Sequence, residues 1–407
     1  MPQILHFGVG NFFRAHQAAY TALAGGDWRI SGVSMRSDAM RRAMAADNFA
    51  YTLVVEGGPQ SEFQVIDVID DILLAPTQPD EILTKLADAD VQIVTATVTE
   101  KGYHLAANGE LELGDPDIQH DMNGTPKTLI GFLAIGLSQR KTPMTILSCD
   151  NRMDNGRVLE RAVKKFASAA GLNINWNLFM FPNSMVDRIT PATTDELRNR
   201  VAAMGYPATA PVPTEAFSEW VIEDNFATPR PDWAAAGARF VTDVAPHEMR
   251  KLRMLNGAHS MLAYQGVLAG HEFVHQAIAD PTLLATTQGL MAEAALTLPV
   301  ELQDMSAQYG RDLIARFANP SLAHSLRQIA MDGSQKIPYR FLQSRTALRE
   351  MNMPSPCLDA ALQAWMDFCR AETKAGRQIN DPLGRAIADA STRDDFAHIL
   401  GVDPAKL

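Results

Sequence analysis

Near the N-terminus, Gly8-Val9-Gly10-Asn11-Phe12-Phe13-Arg14 follows a short apolar run and opens an alanine-rich stretch with helical patterning. A glycine pair between a strand and a helix lets main-chain amides approach a pyrophosphate, where the helix dipole favours negative charge. The dinucleotide fingerprint is incomplete. Phe13 stands at its third glycine, and the second apolar run ends Met35-Arg36-Ser37-Asp38, with no acidic residue about 20 positions after the glycines to take the ribose hydroxyls. Arg36 suits a 2′-phosphate or simply a solvated strand end, and the glycine pair alone also suits a plain tight turn. A second constellation is Lys251-Leu252-Arg253-Met254-Leu255-Asn256-Gly257-Ala258-His259. At about 100° per residue, His259 lies about 80° around a helix axis from Lys251 and about 60° from Asn256, so one helix presents an amine, an amide and an imidazole in one sector. Apolar neighbours (Leu252, Leu255, Met261, Leu262, Val267) imply burial, and buried Lys, Asn and His need partners or a ligand. The alternative is a solvated end made by Arg250, Lys251 and Arg253, with His259 a satisfied core residue.

Three other stretches end or interrupt predicted elements. His271-Glu272-Phe273-Val274-His275 spells the zinc-protease pentapeptide, but no third ligand follows at a usable spacing, and Gly270 suggests that His271 and Glu272 begin a helix. It is set aside as a metal site. Ser148-Cys149-Asp150-Asn151 and Phe181-Pro182-Asn183-Ser184-Met185-Val186-Asp187-Arg188 follow apolar runs, where open α/β sheets bind ligands. The same residues are good turn chemistry.

The elements that must position these groups follow from hydrophobic period. Short β-branched runs at 4–7, 30–35, 65–69, 91–98, 144–149 and 178–181 alternate with helical stretches, the pattern of βαβ units around a mostly parallel sheet. Residues 190–246 are rich in Pro, Ala and acidic side chains, suggesting irregular elaborations and an edge strand at 240–244. Beyond Pro246 helices are expected at 248–268, 281–297, 302–317, 322–331, 337–351 and 355–375. The expected fold is α/β: a Rossmann-like doubly wound domain over 1–245, then a mainly α-helical substrate and catalytic domain over 246–407.

Composition narrows the partners. The chain has 407 residues, 46% hydrophobic and 20% charged, with net charge −11. Such an acidic chain without a basic block does not suit nucleic acid, and no run of 18 or more apolar residues is present to span a membrane. Three scattered cysteines fit neither a disulfide framework nor a four-thiolate metal site; with no secretory leader pattern at the N-terminus they point to the cytoplasm. Small molecules are the expected partners.

Several segments together resemble the mannitol dehydrogenase family, the polyol-specific long-chain dehydrogenases and hexuronate reductases. They are Gly8 through Gln17, Thr99-Glu100-Lys101-Gly102-Tyr103, Ser148 through Asn151, Phe181 through Pro191, Lys251 through His259, and Asp332-Gly333-Ser334-Gln335-Lys336-Ile337-Pro338. The resemblance spans nearly the whole chain. It implies that Lys251 corresponds to the general base, Asn151 and Asn256 to amides around the reacting oxygen, and His259 to a substrate-orienting group. It also implies a cofactor site including Gly8, Gly10, Asn11, Phe12, Arg14, Arg36, Glu100 and Lys101, with Lys336, Asp187 and Arg340 towards substrate. The implied cofactor is NAD, with NADP open, and no metal; the implied assembly is a monomer or small homo-oligomer.

Chemistry of that kind makes a demand on the lysine. Oxidising a secondary alcohol removes a hydroxyl proton as hydride leaves carbon, so the base must arrive neutral. A free lysine, with pKa about 10.4, must be lowered towards roughly 7 to 8 by burial and nearby positive charge. The expected reaction is reversible hydride transfer between NAD(P) and a linear polyol, mannitol or arabinitol to ketose. A hexuronate reductase is the alternative within the family, since a substrate carboxylate suits Lys336 or Arg340. A non-catalytic NAD(P) sensor and a His271/His275 metallohydrolase are the alternatives outside that chemistry.

Overall fold

The computed structural model describes residues 1–57, 60–106, 108–322, 324–404 and 407, and the chain divides into two compact units, Met1–Ala245 and Pro246–Leu407. In the first unit six parallel strands form the main sheet: β1 (Gln3–Phe7), β2 (Arg29–Ser34), β3 (Ile69–Leu74), β4 (Val91–Ala96), β5 (Met144–Ser148) and β6 (Phe179–Met180). Their spatial order is 3-2-1-4-5-6, that of a doubly wound dinucleotide-binding sheet. Adjacent residues of each strand go to opposite faces. Leu5, Phe7, Val33, Val94 and Ile146 pack with Phe132, Leu133 and Val158, whereas Ile4, Ile30, Ile93 and Leu147 pack with Phe13, Trp220 and Trp233. Burial on both faces explains why these strands appear as continuous apolar runs.

Two smaller sheets depart from the sequence expectation. The run at 65–69 divides: Glu62–Ile66 pairs antiparallel with Tyr51–Glu56, and Ile69 already begins β3. Val212–Glu215 pairs parallel with Tyr51–Glu56 at the sheet edge, where Pro213 costs no needed donor. The third sheet runs Arg239–Val241, Glu219–Glu223, Ser184–Asp187. Buried carboxylates hold this Pro-rich region: Glu223 accepts from the main-chain N–H and side-chain amide of Asn183, and Glu215 accepts from the Ile189 N–H. Strands built around buried glutamates carry little apolar period, so 190–246 looked irregular.

The second unit is helical. Ala245–Arg250, Lys251–Asn256 and Gly257–Leu268 follow one another without a break, the middle segment being a π-helix. Gly333–Ile337, Pro338–Leu342 and Gln343–Glu350 repeat this arrangement, again with a central π turn. Pro338 explains the second: lacking an N–H, it cannot donate to the helical carbonyl before it, and the Gln343 N–H closes back on the Pro338 carbonyl instead. Around the first rod pack Pro281–Ala295, Leu326–Ile329 and Pro356–Lys374. The helix expected over 322–331 is only Leu326–Ile329. Among the described residues, no helix is long and apolar enough to cross a membrane.

Candidate active site

A cleft of about 1140 Å³ opens at the carboxyl ends of β1, β2 and β4, its walls including Gly8, Gly10, Ser34, Arg36, Thr97, Thr99, Lys101 and Lys127. The strand order reverses between β1 and β4, the place where open α/β sheets bind dinucleotides. Gly8 has φ +100°, and a Cβ there would lie 2.1 Å from the Thr97 carbonyl oxygen, so only glycine lets the turn press against the next strand. Gly10 faces open space, with no atom nearer than 3.9 Å to a hypothetical Cβ. Arg36, Lys101 and Lys127 bring positive charge to the wall, partly offset by Asp80 and by Asp117, which pairs with Lys127 at 2.8 Å. An open glycine turn with cations around it fits a dinucleotide pyrophosphate.

The turn rests on a network that sequence patterning did not single out. His6, fully buried in β1, bonds through Nδ1 to Thr95 Oγ1 at 2.8 Å and through Nε2 to Thr97 Oγ1 at 3.1 Å and the Gly8 carbonyl at 3.2 Å. Its ring stacks 3.5 Å from that of Phe13. Burial pulls the imidazole pKa down to about 3, so it stays neutral. Phe13 is therefore a packing residue under the turn. The helix it belongs to, Asn11–Ala15, ends after five residues at His16, so the long helix of the standard fingerprint is replaced by two short pieces.

Asp150, just past β5, supports the opposite wall. Its carboxylate accepts from the Thr99 N–H at 2.8 Å, the Val98 N–H at 3.1 Å and the Tyr103 hydroxyl at 3.0 Å, clamping a loop in which Thr99 has φ +67°. Burial raises its pKa, against the pull of those three donors.

The expected cofactor residues divide accordingly. Gly8, Gly10, Arg36 and Lys101 line the cleft. Arg14 does not: its guanidinium turns inward to the Ala210 carbonyl and the Asn11 side chain, and burial lowers its pKa to about 10. Asn11 donates to the Pro191 carbonyl and the Thr193 hydroxyl, and Phe12 stacks on His16, so both serve the packing of the turn. Glu100 is exposed in the short helix Glu100–Tyr103 and lies outside the cleft wall. Asn151 is exposed just beyond Asp150, and Asp187 is buried at the end of Ser184–Asp187. Lys127 was missed because it follows a Gly-Thr-Pro turn that carries no motif.

In the second unit the π turn changes the angular arrangement expected for an α-helix. Regular helix sets residues five apart at about 140° around the axis. A turn closed by i→i+5 bonds brings them to nearly one face, so Lys251 and Asn256, its first and last residues, share that face. Lys251 is buried, at 8% exposure. His259 packs on the rings of Phe317 at 4.4 Å and His324 at 5.5 Å. Burial, then the neighbouring His324, Arg316 and Arg340, hold its pKa well below the usual value, leaving a neutral ring able to donate one hydrogen bond and accept another. Lys336 donates to the Ile329 and Met331 carbonyls, and burial followed by Arg340 lowers its pKa. Arg340 Nη1 donates to the Asn256 carbonyl at 3.2 Å and to Ser260 Oγ at 2.7 Å.

The H-E-x-x-H stretch does not form a helical ligand pair. The helix of this region is Val274–Ala279, so His275 is helical while His271 precedes it in the connecting turn, 3.8 Å from Asp280. His271 and Glu272 thus fall before the helix rather than in its first turn.

Residues 2–235 match the model of the mannitol dehydrogenase Rossmann domain and residues 243–400 that of the mannitol dehydrogenase C-terminal domain. The D-mannonate oxidoreductase of Escherichia coli K12 is 38% identical over 404 residues, covering 94% of this chain and 83% of that protein. Among solved structures, a D-sorbitol dehydrogenase in substrate-free form superposes with TM-score 0.91 at 30% identity, covering 99% of this chain and 89% of the other. Pseudomonas fluorescens mannitol 2-dehydrogenase, in ternary complex with NAD and D-mannitol, superposes with TM-score 0.80 at 35% identity, covering 98% and 86%. With both of its units matched, the chain belongs to the mannitol dehydrogenase family of oxidoreductases.

Proposed function

We propose that this enzyme transfers hydride reversibly between NAD(P) and a secondary alcohol of a linear polyol of the mannitol or arabinitol type, giving the ketose. The observation that carries the reading is the buried Lys251 sharing the face of a π turn with Asn256, in a chain whose other unit has a dinucleotide cleft. Bound nicotinamide supplies the hydride acceptor. Lys251, as a neutral amine, takes the hydroxyl proton, and its ammonium form returns a proton to the ketone oxygen in reduction. The side-chain amides of Asn151 and Asn256 donate to that oxygen as charge develops on it; losing one such preorganised donor typically costs about 3–4 kcal/mol. Neutral His259 orients a neighbouring hydroxyl. For the adenosine end, Gly8 and Gly10 admit the pyrophosphate and Arg36 contacts the ribose edge, with NAD the cofactor and NADP the alternative that the assay below compares.

Similarity to D-mannonate oxidoreductase supports a second reading, reduction of a hexuronate. Mannitol, arabinitol, sorbitol, fructose and fructuronate, each assayed with both NAD and NADP by nicotinamide absorbance, separate the two. The first reading expects at least tenfold higher kcat/KM on an uncharged polyol or ketose than on fructuronate. The reverse ratio replaces it with the second, and cofactor binding without turnover on any of them would leave a sensor.

A further inference from the structure

The two π turns of the second unit pack against each other, and one side chain ties them together. Arg340 sits within Pro338–Leu342, and its Nη1 reaches the main-chain oxygen of Asn256, the last residue of the other π turn, and the hydroxyl of Ser260 one turn further on. We infer that Arg340 is a positioning residue that fixes the Lys251–Asn256 π turn in register, rather than a contact for a substrate carboxylate. The inference rests on the reading of Lys251 as base and Asn256 as amide donor.

A π turn holds one residue more than the α turn it replaces. Were it to relax to α geometry, side chains before it would rotate by about one residue, roughly 100°, relative to those after it. Lys251 lies at its start, Asn256 at its end and His259 beyond it, so their mutual orientation depends on where the extra residue is held. A guanidinium is a rigid planar fork, and here one of its nitrogens bridges an oxygen at the end of the π turn and one in the α-helix that follows. That spans the junction through which the slip would have to pass. Lys336, four residues earlier, works alike: its ammonium donates to the Ile329 and Met331 carbonyls. Both cations thus donate to main-chain carbonyls.

The test uses the full chain with Arg340→Met and Ser260→Ala, measured on the best polyol of the panel and on fructuronate. Readouts are kcat, KM, the kinetic isotope effect with deuterium at the oxidised carbon, and NADH affinity by fluorescence. Misplacement of catalytic groups by about 1 Å costs on the order of 10²-fold. Arg340→Met is expected to lower kcat by about 10²-fold for charged and uncharged substrates alike, with KM within about threefold, a raised isotope effect and unchanged NADH affinity. Ser260→Ala, which removes one anchor and leaves the guanidinium, should lower kcat by about three- to tenfold with the same raised isotope effect. A rise in KM confined to fructuronate at constant kcat overturns the inference in favour of direct carboxylate pairing, and unchanged kcat in both variants overturns it outright. Should Arg340→Met fail to fold, Ser260→Ala decides: normal kcat and isotope effect sink the strut. Full turnover in Lys251→Ala would instead remove the underlying reading, whereas an inactive Lys251→Ala beside normal Arg340→Met removes the positioning role alone.

Discussion

His6 is enclosed in β1 and bonds Thr95, Thr97 and the Gly8 carbonyl, so its protonation is set against the integrity of the glycine turn. Its folded pKa is lowered to about 3, whereas in the unfolded chain it titrates near the ordinary imidazole value of 6.5. Above pH 6.5 both states hold the neutral ring and nothing is lost. As pH falls from 6.5 towards 3 only the unfolded state takes up the proton, so stability declines across that window. At pH 5 the loss from this residue is about 2 kcal/mol. Urea unfolding at pH 7 and pH 5 should show a loss in the wild type that is about 2 kcal/mol larger than the loss in a His6→Asn variant. An equal pH dependence in the two proteins would mean that His6 is not held neutral. Phe13 belongs to the same argument: the third glycine of the usual fingerprint lets helix and strand pack closely, and here stacked rings make that contact instead.

Among elements, the loop after β4 and the turn after β1 form facing walls of one cleft, and Asp150 sets the first of them. Replacing Asp150 by Asn turns one acceptor oxygen into an N–H₂ facing main-chain N–H or hydroxyl donors, which costs about 1–3 kcal/mol. Because the clamped residues Val98 and Thr99 line the cleft, NADH affinity should weaken roughly tenfold. Fluorescence titration of Asp150→Asn checks this, and a lowered melting temperature with unchanged NADH affinity would make Asp150 a purely structural clamp. The helical unit had a different source of difficulty. Helix at 248–268 was legible from its apolar period, but a π turn leaves that period nearly intact while shifting the faces on either side, so the angle drawn between Lys251 and His259 assumed the wrong screw. Pro338 was a visible signal for the second π turn; the first has no proline and no comparable mark.

At the scale of the molecule, the doubly wound sheet followed from buried, β-branched runs, because strands covered on both faces carry their assignment in every residue. Tyr51–Glu56, Val212–Glu215 and Glu219–Glu223 lacked that mark: their pairing is non-local, and two of them carry buried glutamates satisfied by residues 26 and 40 positions away. The cleft was partly legible. Gly8 and Gly10 announce a turn by type, and Arg36 and Lys101 stand in adjoining motifs, whereas Arg14 and Asn11 share the glycine motif yet turn inward, since a sequence motif does not say which side of a short, broken helix faces the ligand. The account of function rests on one amine acting on the substrate hydroxyl while the dinucleotide is held by a separate part of the chain. Its most direct test is Lys251→Ala, with steady-state turnover on the preferred polyol measured beside NADH titration. The account predicts a fall in kcat of about 10³-fold or more with NADH affinity within about twofold of wild type. Turnover within a few-fold of wild type would contradict it.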